Sequence, residues 1–262
     1  MNRVSAALCG LLVAASAPAL AAGPLDGTWV ADMATAKLSQ KPDNWVVANG
    51  WFDCQTCTPA LKVPADGKVH SVAGRDYYDA MSFTVVDPMT VKSVVYKGGK
   101  QVGSSTRTVS ADGATFTSVS MSSNNAKGIT TNSTSVMKRV AAGPAGSHTI
   151  SGSWVPTTEG AKIAAENLTA TIATSGDMVT FSLPTGETYT AKLGGPQVPF
   201  TGDTGKTMVA LTKAGDGFVE TDYNQGKATM RFTYMPVDAT TGALKIEDLR
   251  AGTTDEYTLK KQ

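Results

Sequence analysis

The amino-acid sequence predicts an all-β protein of two tandem antiparallel up-and-down β-barrels, each a meander of short hairpins around its own apolar interior. Three observations predict this class. Thr, Val, Ser and Gly are abundant after the leader while the good helix formers Leu and Glu are sparse, which favours strands. Short segments such as Met81-Ser82-Phe83-Thr84-Val85 and Met208-Val209-Ala210-Leu211 fill or alternate with apolar residues, and Gly-containing turns follow every ~8–12 residues. The same series of features also occurs twice along the chain. With 41% hydrophobic residues in a chain of 262, there is material for two cores, and the composition is not that of a disordered segment.

The elements follow in order. Met1-Asn2-Arg3 gives a short basic start and Ala6 to Ala17 an apolar run too short to cross a bilayer, so residues 1–21 read as a signal peptide. Small residues in Ala19-Leu20-Ala21 place cleavage between Ala21 and Ala22. Cys9 lies early in the apolar run and follows Leu8, which does not suit a lipid-anchored cysteine. No later stretch reaches the ~18–20 apolar residues of a membrane helix, so a periplasmic or secreted chain without membrane insertion is expected.

The first domain, 22–140, opens on Gly27-Thr28-Trp29, and the second, 151–262, on Gly152-Ser153-Trp154. Between them, 141–150 begins with the small, turn-prone Ala141-Ala142-Gly143-Pro144-Ala145-Gly146-Ser147 and reads as a linker. Inside the copies, Ala65-Asp66-Gly67-Lys68 and Arg75-Asp76-Tyr77-Tyr78 are matched to Thr185-Gly186-Glu187 and Gln197-Val198-Pro199-Phe200. Thr90 to Lys100 parallels Gly217 to Lys227, and Val109 to Gly113 parallels Val237 to Gly242. Both copies finish in a strand with basic residues, Val136 to Arg139 and Tyr257 to Lys261. A pair of two-layer sandwiches is the alternative architecture, but a closed meander removes the exposed edges that a Thr- and Val-rich exported chain must otherwise protect.

The Gly-x-Trp at each first strand, the run of hairpins and the basic last strand resemble the lipocalin and calycin superfamily, and the resemblance implies that this Trp packs across the closed end of a barrel. The whole mature chain also resembles a family of exported bacterial proteins without an assigned activity. That likeness is carried by Cys54-Gln55-Thr56-Cys57-Thr58-Pro59, Val63 to Lys68, Lys97-Gly98-Gly99-Lys100, and Gly143 to His148 leading into Gly152-Ser153-Trp154. It supports the two-domain picture and implies no substrate.

Cys54 and Cys57 are the only cysteines after the leader, and in an oxidising compartment the pair reads first as a small disulfide clip. A redox-active Cys-x-x-Cys is the sharper alternative, although such pairs sit at a helix amino terminus and the surroundings here read as strand. Covalent haem needs a His where Thr58 stands. Zinc needs three or four ligands, and His70 is the better third candidate of the two histidines, His70 and His148. No cofactor is expected. Gly202-Asp203-Thr204-Gly205-Lys206-Thr207 has Phe200 where a phosphate loop needs Gly and precedes a strand, so it reads as a hairpin turn.

Two histidines without triad spacing and the lack of a Gly-x-Ser-x-Gly elbow give no nucleophile. Asp66, Asp112, Asp216 and Asp238 fall in turns, where their carboxylates cap backbone amides. Trp51 and Phe52 beside the cysteines, and Tyr77, Tyr78 and Phe200 ahead of the central strands, are the candidate ligand-contact residues. The 23 basic and 22 acidic residues are interspersed, which argues against a nucleic-acid partner. The expectation is an exported binding protein for a small, mostly apolar ligand, with an envelope interaction module and a thiol-disulfide protein as alternatives, and with binding favoured over catalysis.

Overall fold

A computed structural model describes residues 23–262, so the predicted signal peptide and its cleavage site lie outside the described residues. The first half of the chain forms β1 (Gly27–Lys37), β2 (Asp43–Ala48), β3 (Trp51–Cys54), β4 (Leu61–Pro64) and β5 (His70–Ser71). It continues through β6 (Ala80–Asp87), β7 (Thr90–Lys97), β8 (Lys100–Val109), β9 (Thr115–Ser122) and β10 (Thr131–Ala142). The second half forms β11 (Gly152–Lys162), β12 (Thr169–Ser175), β13 (Met178–Ser182), β14 (Thr188–Lys192) and β15 (Val198–Pro199). It ends with β16 (Met208–Ala214), β17 (Gly217–Asn224), β18 (Lys227–Pro236), β19 (Thr241–Asp248) and β20 (Thr253–Lys261).

These strands make two ten-stranded antiparallel sheets, each curled almost into a closed barrel. In one, Thr188 and Thr201 bridge the ends of the sheet and Leu193 bridges to Leu211; in the other, Asp66 bridges to Thr84. The tight hairpins follow from residues that tolerate positive φ. Gly98 and Gly99 turn β7 into β8 at φ 55° and 78°, and Gln225 and Gly226 turn β17 into β18 at 51° and 77°.

The sheets do not divide the chain where the sequence copies divide. Strand β1 lies between β12 and β20, and β11 lies between β2 and β10, so the first strand of each copy completes the other copy's barrel. The boundary drawn at 141–150 therefore separates the repeats but not the barrels, and β10 runs on through Ala142 into the expected linker. The N barrel comprises β2 to β11 and the C barrel comprises β1 with β12 to β20. The exchange is consistent with the sequence because both first strands bring the same plug. Trp29 Nε1 donates to Leu25 O at 2.6 Å and Trp154 Nε1 to Ile150 O at 2.9 Å, and all four side chains are buried. Basic residues of the last strands cover these indoles, Lys261 over Trp29 at 5.4 Å and Arg139 over Trp154 at 4.0 Å.

Strand pairing also corrects part of the internal alignment. Met81 pairs with His70 as Val209 pairs with Val198, which puts Val72 and not Tyr77 or Tyr78 at the place of Phe200. Thr185-Gly186-Glu187 turns β13 into β14, whereas Ala65 to Lys68 lies after β4, one connection later. Beyond the exchanged strands, Ala126 N donates to Glu187 Oε1 at 3.1 Å, Lys127 N to Thr185 O at 3.0 Å, and Arg250 pairs with Asp76 at 3.4 Å, joining the two barrels at their rims.

Candidate ligand cavity in the C barrel

The interior of the C barrel is not filled. A cavity of about 460 Å³ runs between its core side chains, within the range of small-molecule sites. Trp29, Ile172 and Phe181 form part of its wall with Phe232, Leu244 and Leu259, while Met33, Leu38 and Leu168 line it together with Val136 and Pro156 from the N barrel. The wall is overwhelmingly apolar because β12, β18, β19 and β20 turn their alternate apolar residues inward.

The exception is β17, whose inward face reads Phe218, Glu220, Asp222, Asn224, all buried. Tyr189 Oη on β14 donates to Glu220 Oε2 at 2.7 Å, and the Tyr189 ring stacks on Phe181 with centroids 5.4 Å apart. Asp222 is 9% exposed and its Oδ1 has no hydrogen-bond partner among the described residues. Burial, then the neighbouring Asp222 charge, holds the Glu220 carboxyl well above the usual carboxylate range against the opposing Tyr189 hydrogen bond. Burial likewise pushes Asp222 up to about 7, with the Asp203 charge adding to it and Glu220 opposing. Desolvation raises Tyr189 and Tyr234 as well, with the acidic pair reinforcing the shift. Among the described residues no basic side chain lines this cavity. In chemical terms it is an apolar chamber with one proton-holding corner.

The N barrel repeats the register with different contents. Val91 pairs with Arg107 as Phe218 pairs with Tyr234, so Ser93, Val95 and Arg107 stand where Glu220, Asp222 and Tyr234 stand. Its cavity, about 360 Å³, is lined by Ser93, Ser105 and Arg107 together with Trp45 and Phe52. Arg107 Nη1 donates to Ser93 Oγ at 3.0 Å, and the guanidinium lies 5.2 Å from the centre of the Trp45 ring. Desolvation lowers the Arg107 pKa to about 10, the Tyr78 phenol opposing it. Ser105 and Ser118 bond at 2.7 Å, and Ser120 reaches Ser105 at 3.1 Å.

The residues singled out from the sequence scatter over both barrels. Phe200 packs edge-on against Tyr189 with centroids 5.5 Å apart and lines the C-barrel cavity. Phe52 stacks on Phe83 at 4.3 Å inside the N barrel, where Tyr77 and Tyr78 line the smaller cavity. The Tyr77 hydroxyl lies 3.4 Å from Thr207 Oγ1 of the C barrel, and desolvation pushes its pKa up to about 12. Trp51 lines neither cavity: it is 44% exposed and its ring takes the Lys62 ammonium at 5.6 Å.

Cys54, the last residue of β3, and Cys57 in the following loop are joined by a disulfide, with Cα atoms 5.4 Å apart, and Cys54 is fully buried. His70 contacts Asp66 at 2.9 Å, and among the described residues no group of three metal-ligating side chains comes together. Asp66, Asp112 and Asp238 accept from the amides of Lys68, Ala114 and Thr240 in their turns, whereas the Asp216 carboxylate accepts no such bond. Gly202 to Thr207 is the turn between β15 and β16.

Sequence reasoning missed Glu220 and Asp222. The readable signal was the repeat itself, since aligning Thr90–Lys100 with Gly217–Lys227 puts both acids on the face that carries Val91, Ser93 and Val95. No family model matches the chain, and no similar curated protein or solved structure was found. Among the described residues no helix is long and apolar enough to cross a membrane.

Proposed function

We propose that this protein is an exported, lipocalin-like carrier of a small, mostly apolar molecule, held inside the C barrel. The observation that carries the reading is the apolar cavity of about 460 Å³ bordered by the core side chains of the C barrel. A void of that size lined by apolar side chains loses dispersion contacts along its whole wall, and an apolar guest restores them. The amino-terminal leader pattern and the disulfide fit an oxidising, extracytoplasmic compartment. A thiol-exchange role is disfavoured by the burial of Cys54 and by the absence of a helix terminus to activate it.

The test is native mass spectrometry of freshly purified protein, paired with titration of N-phenyl-1-naphthylamine, a neutral apolar fluorophore. Bound small molecules, or saturable one-to-one probe binding weakened about tenfold or more by the cavity-filling change Ala170→Phe, are expected. Failure of both, with the fold intact by circular dichroism, removes the reading.

A further inference from the structure

The apolar wall explains why a greasy guest would enter the C barrel, but it does not explain two acids in the lining of the chamber. Glu220 and Asp222 face inward from β17, and no cationic side chain of β16 or β18 stands opposite them in register. Opposite them in register stand Leu211 and Val209 on β16, and Phe232 and Met230 on β18. The polar groups that do face the pair are Tyr189 on β14, Tyr234 on β18 and Asp203 in the turn before β16, and none can carry a positive charge. Tyr189 donates to one oxygen of Glu220, whereas Asp222 Oδ1 is buried with no partner among the described residues and the Asp222 carboxyl has only Glu220 with which to share a proton. A buried carboxylate in that position is costly unless it is protonated or paired. The N barrel shows that the fold does not need the pair, because Ser93 and Val95 occupy the same register positions there.

We propose that the C-barrel ligand is an amine-headed amphiphile, its hydrocarbon body in the apolar chamber and its protonated amine on the Glu220–Asp222 pair. The inference rests on the carrier reading and specifies its ligand class. An ammonium has the three donors and the unit charge that the pair lacks. A neutral alcohol of equal length would satisfy one acceptor and leave the charge unpaired. A carboxylate would bring a further negative charge against two acids. With Asp222 raised to about 7 and Glu220 well above the usual carboxylate range, amine binding displaces a proton from the pair and strengthens as pH rises through about 7.

The experiment is competition of decylamine, decanol and decanoate against N-phenyl-1-naphthylamine in the intact protein. Decylamine is expected to bind about tenfold or more tightly than decanol at neutral pH, with decanoate weakest. The amine-to-alcohol ratio should rise between pH 6 and pH 8 and collapse towards one in Asp222→Asn and in the double change Glu220→Gln, Asp222→Asn, whose folding is checked by circular dichroism. Equal affinity of amine and alcohol overturns the inference while leaving the carrier reading intact, and so does an amine preference that survives the double change. If neither the probe nor decanol binds, the carrier reading fails and takes this inference with it.

Discussion

The N and C barrels superpose in register down to individual interior positions, yet their interiors are chemically opposed. Where the C barrel has Glu220, Tyr234 and Tyr189, the N barrel has Ser93, Arg107 and Leu61. Phe232, Leu244 and Ile246 of the C barrel answer to Ser105, Ser118 and Ser120 of the N barrel. A shared meander with shared hairpin turns therefore constrains the backbone and the Trp plug, while the interior positions are free to become greasy and acidic or hydroxylated and basic. Duplication kept the wall and changed the contents.

The largest test of this comparison breaks the chain. A fragment from Leu38 to Ile163 holds β2 to β11 and should fold alone with a cooperative melt. A fragment from Gly23 to Gly146, of nearly equal length and matching the sequence repeat, should not, because it carries β1 without β12 and β20 and lacks β11. The opposite outcome would refute the strand exchange. Next in size, Trp29→Ala and Trp154→Ala should each cost about 3–5 kcal/mol in chemical denaturation, since both indoles are fully buried. Only Trp29→Ala should disturb probe binding in the larger cavity, because β1 belongs to the C barrel. Reversal of that pattern would assign β1 to the wrong barrel.

A smaller effect is the pH dependence that the buried acid pair gives the C barrel. The Asp222 carboxyl is raised from 3.8 to about 7, so between those values the native state keeps a proton that the unfolded chain has released. Stability contributed by that proton is present below about pH 4, falls as pH rises towards 7 and is lost above it, and Glu220 acts in the same direction. Melting temperature followed across this range should decline in the natural chain, decline less in Asp222→Asn and flatten in the double change Glu220→Gln, Asp222→Asn. The smallest change is expected from Arg107→Met. A partly buried guanidinium paired only with Ser93 and a Trp face has no carboxylate to lose, so stability should stay within about 1 kcal/mol or rise. A loss of several kcal/mol would mean that the N-barrel cation has an anionic partner.

Much of the fold was legible from local rules. The two-residue turns at Gly98-Gly99 and Gln225-Gly226, the alternation in β16, and the Asp caps at 66, 112 and 238 depend on residues near one another in sequence. The matched segments 90–100 and 217–227 proved equivalent in register. The pairing of Tyr77 and Tyr78 with Phe200 did not, because the connections there differ in length and no periodic pattern fixes them. Trp51 looked like a ligand contact because it is large and sits beside the cysteines, yet strand alternation turns it outward while Phe52 turns in. Glu220 and Asp222 were passed over because Val219, Thr221 and Tyr223 make the opposite face of β17 look equally suited to a core.

By itself, then, the sequence determined that hairpins form, where they turn, and that two similar barrels result, since φ preferences and period-two patterning act within a few residues. Only the tertiary structure decided which barrel each Gly-x-Trp strand completes. The two slots are alike, so local pattern cannot choose between them, and the choice falls to the path of the chain through Leu38–Pro42 and to long-range pairing. It also decided that two acids meet an unfilled apolar chamber, because burial and the lack of a counter-charge are properties of what surrounds a side chain and not of the side chain itself.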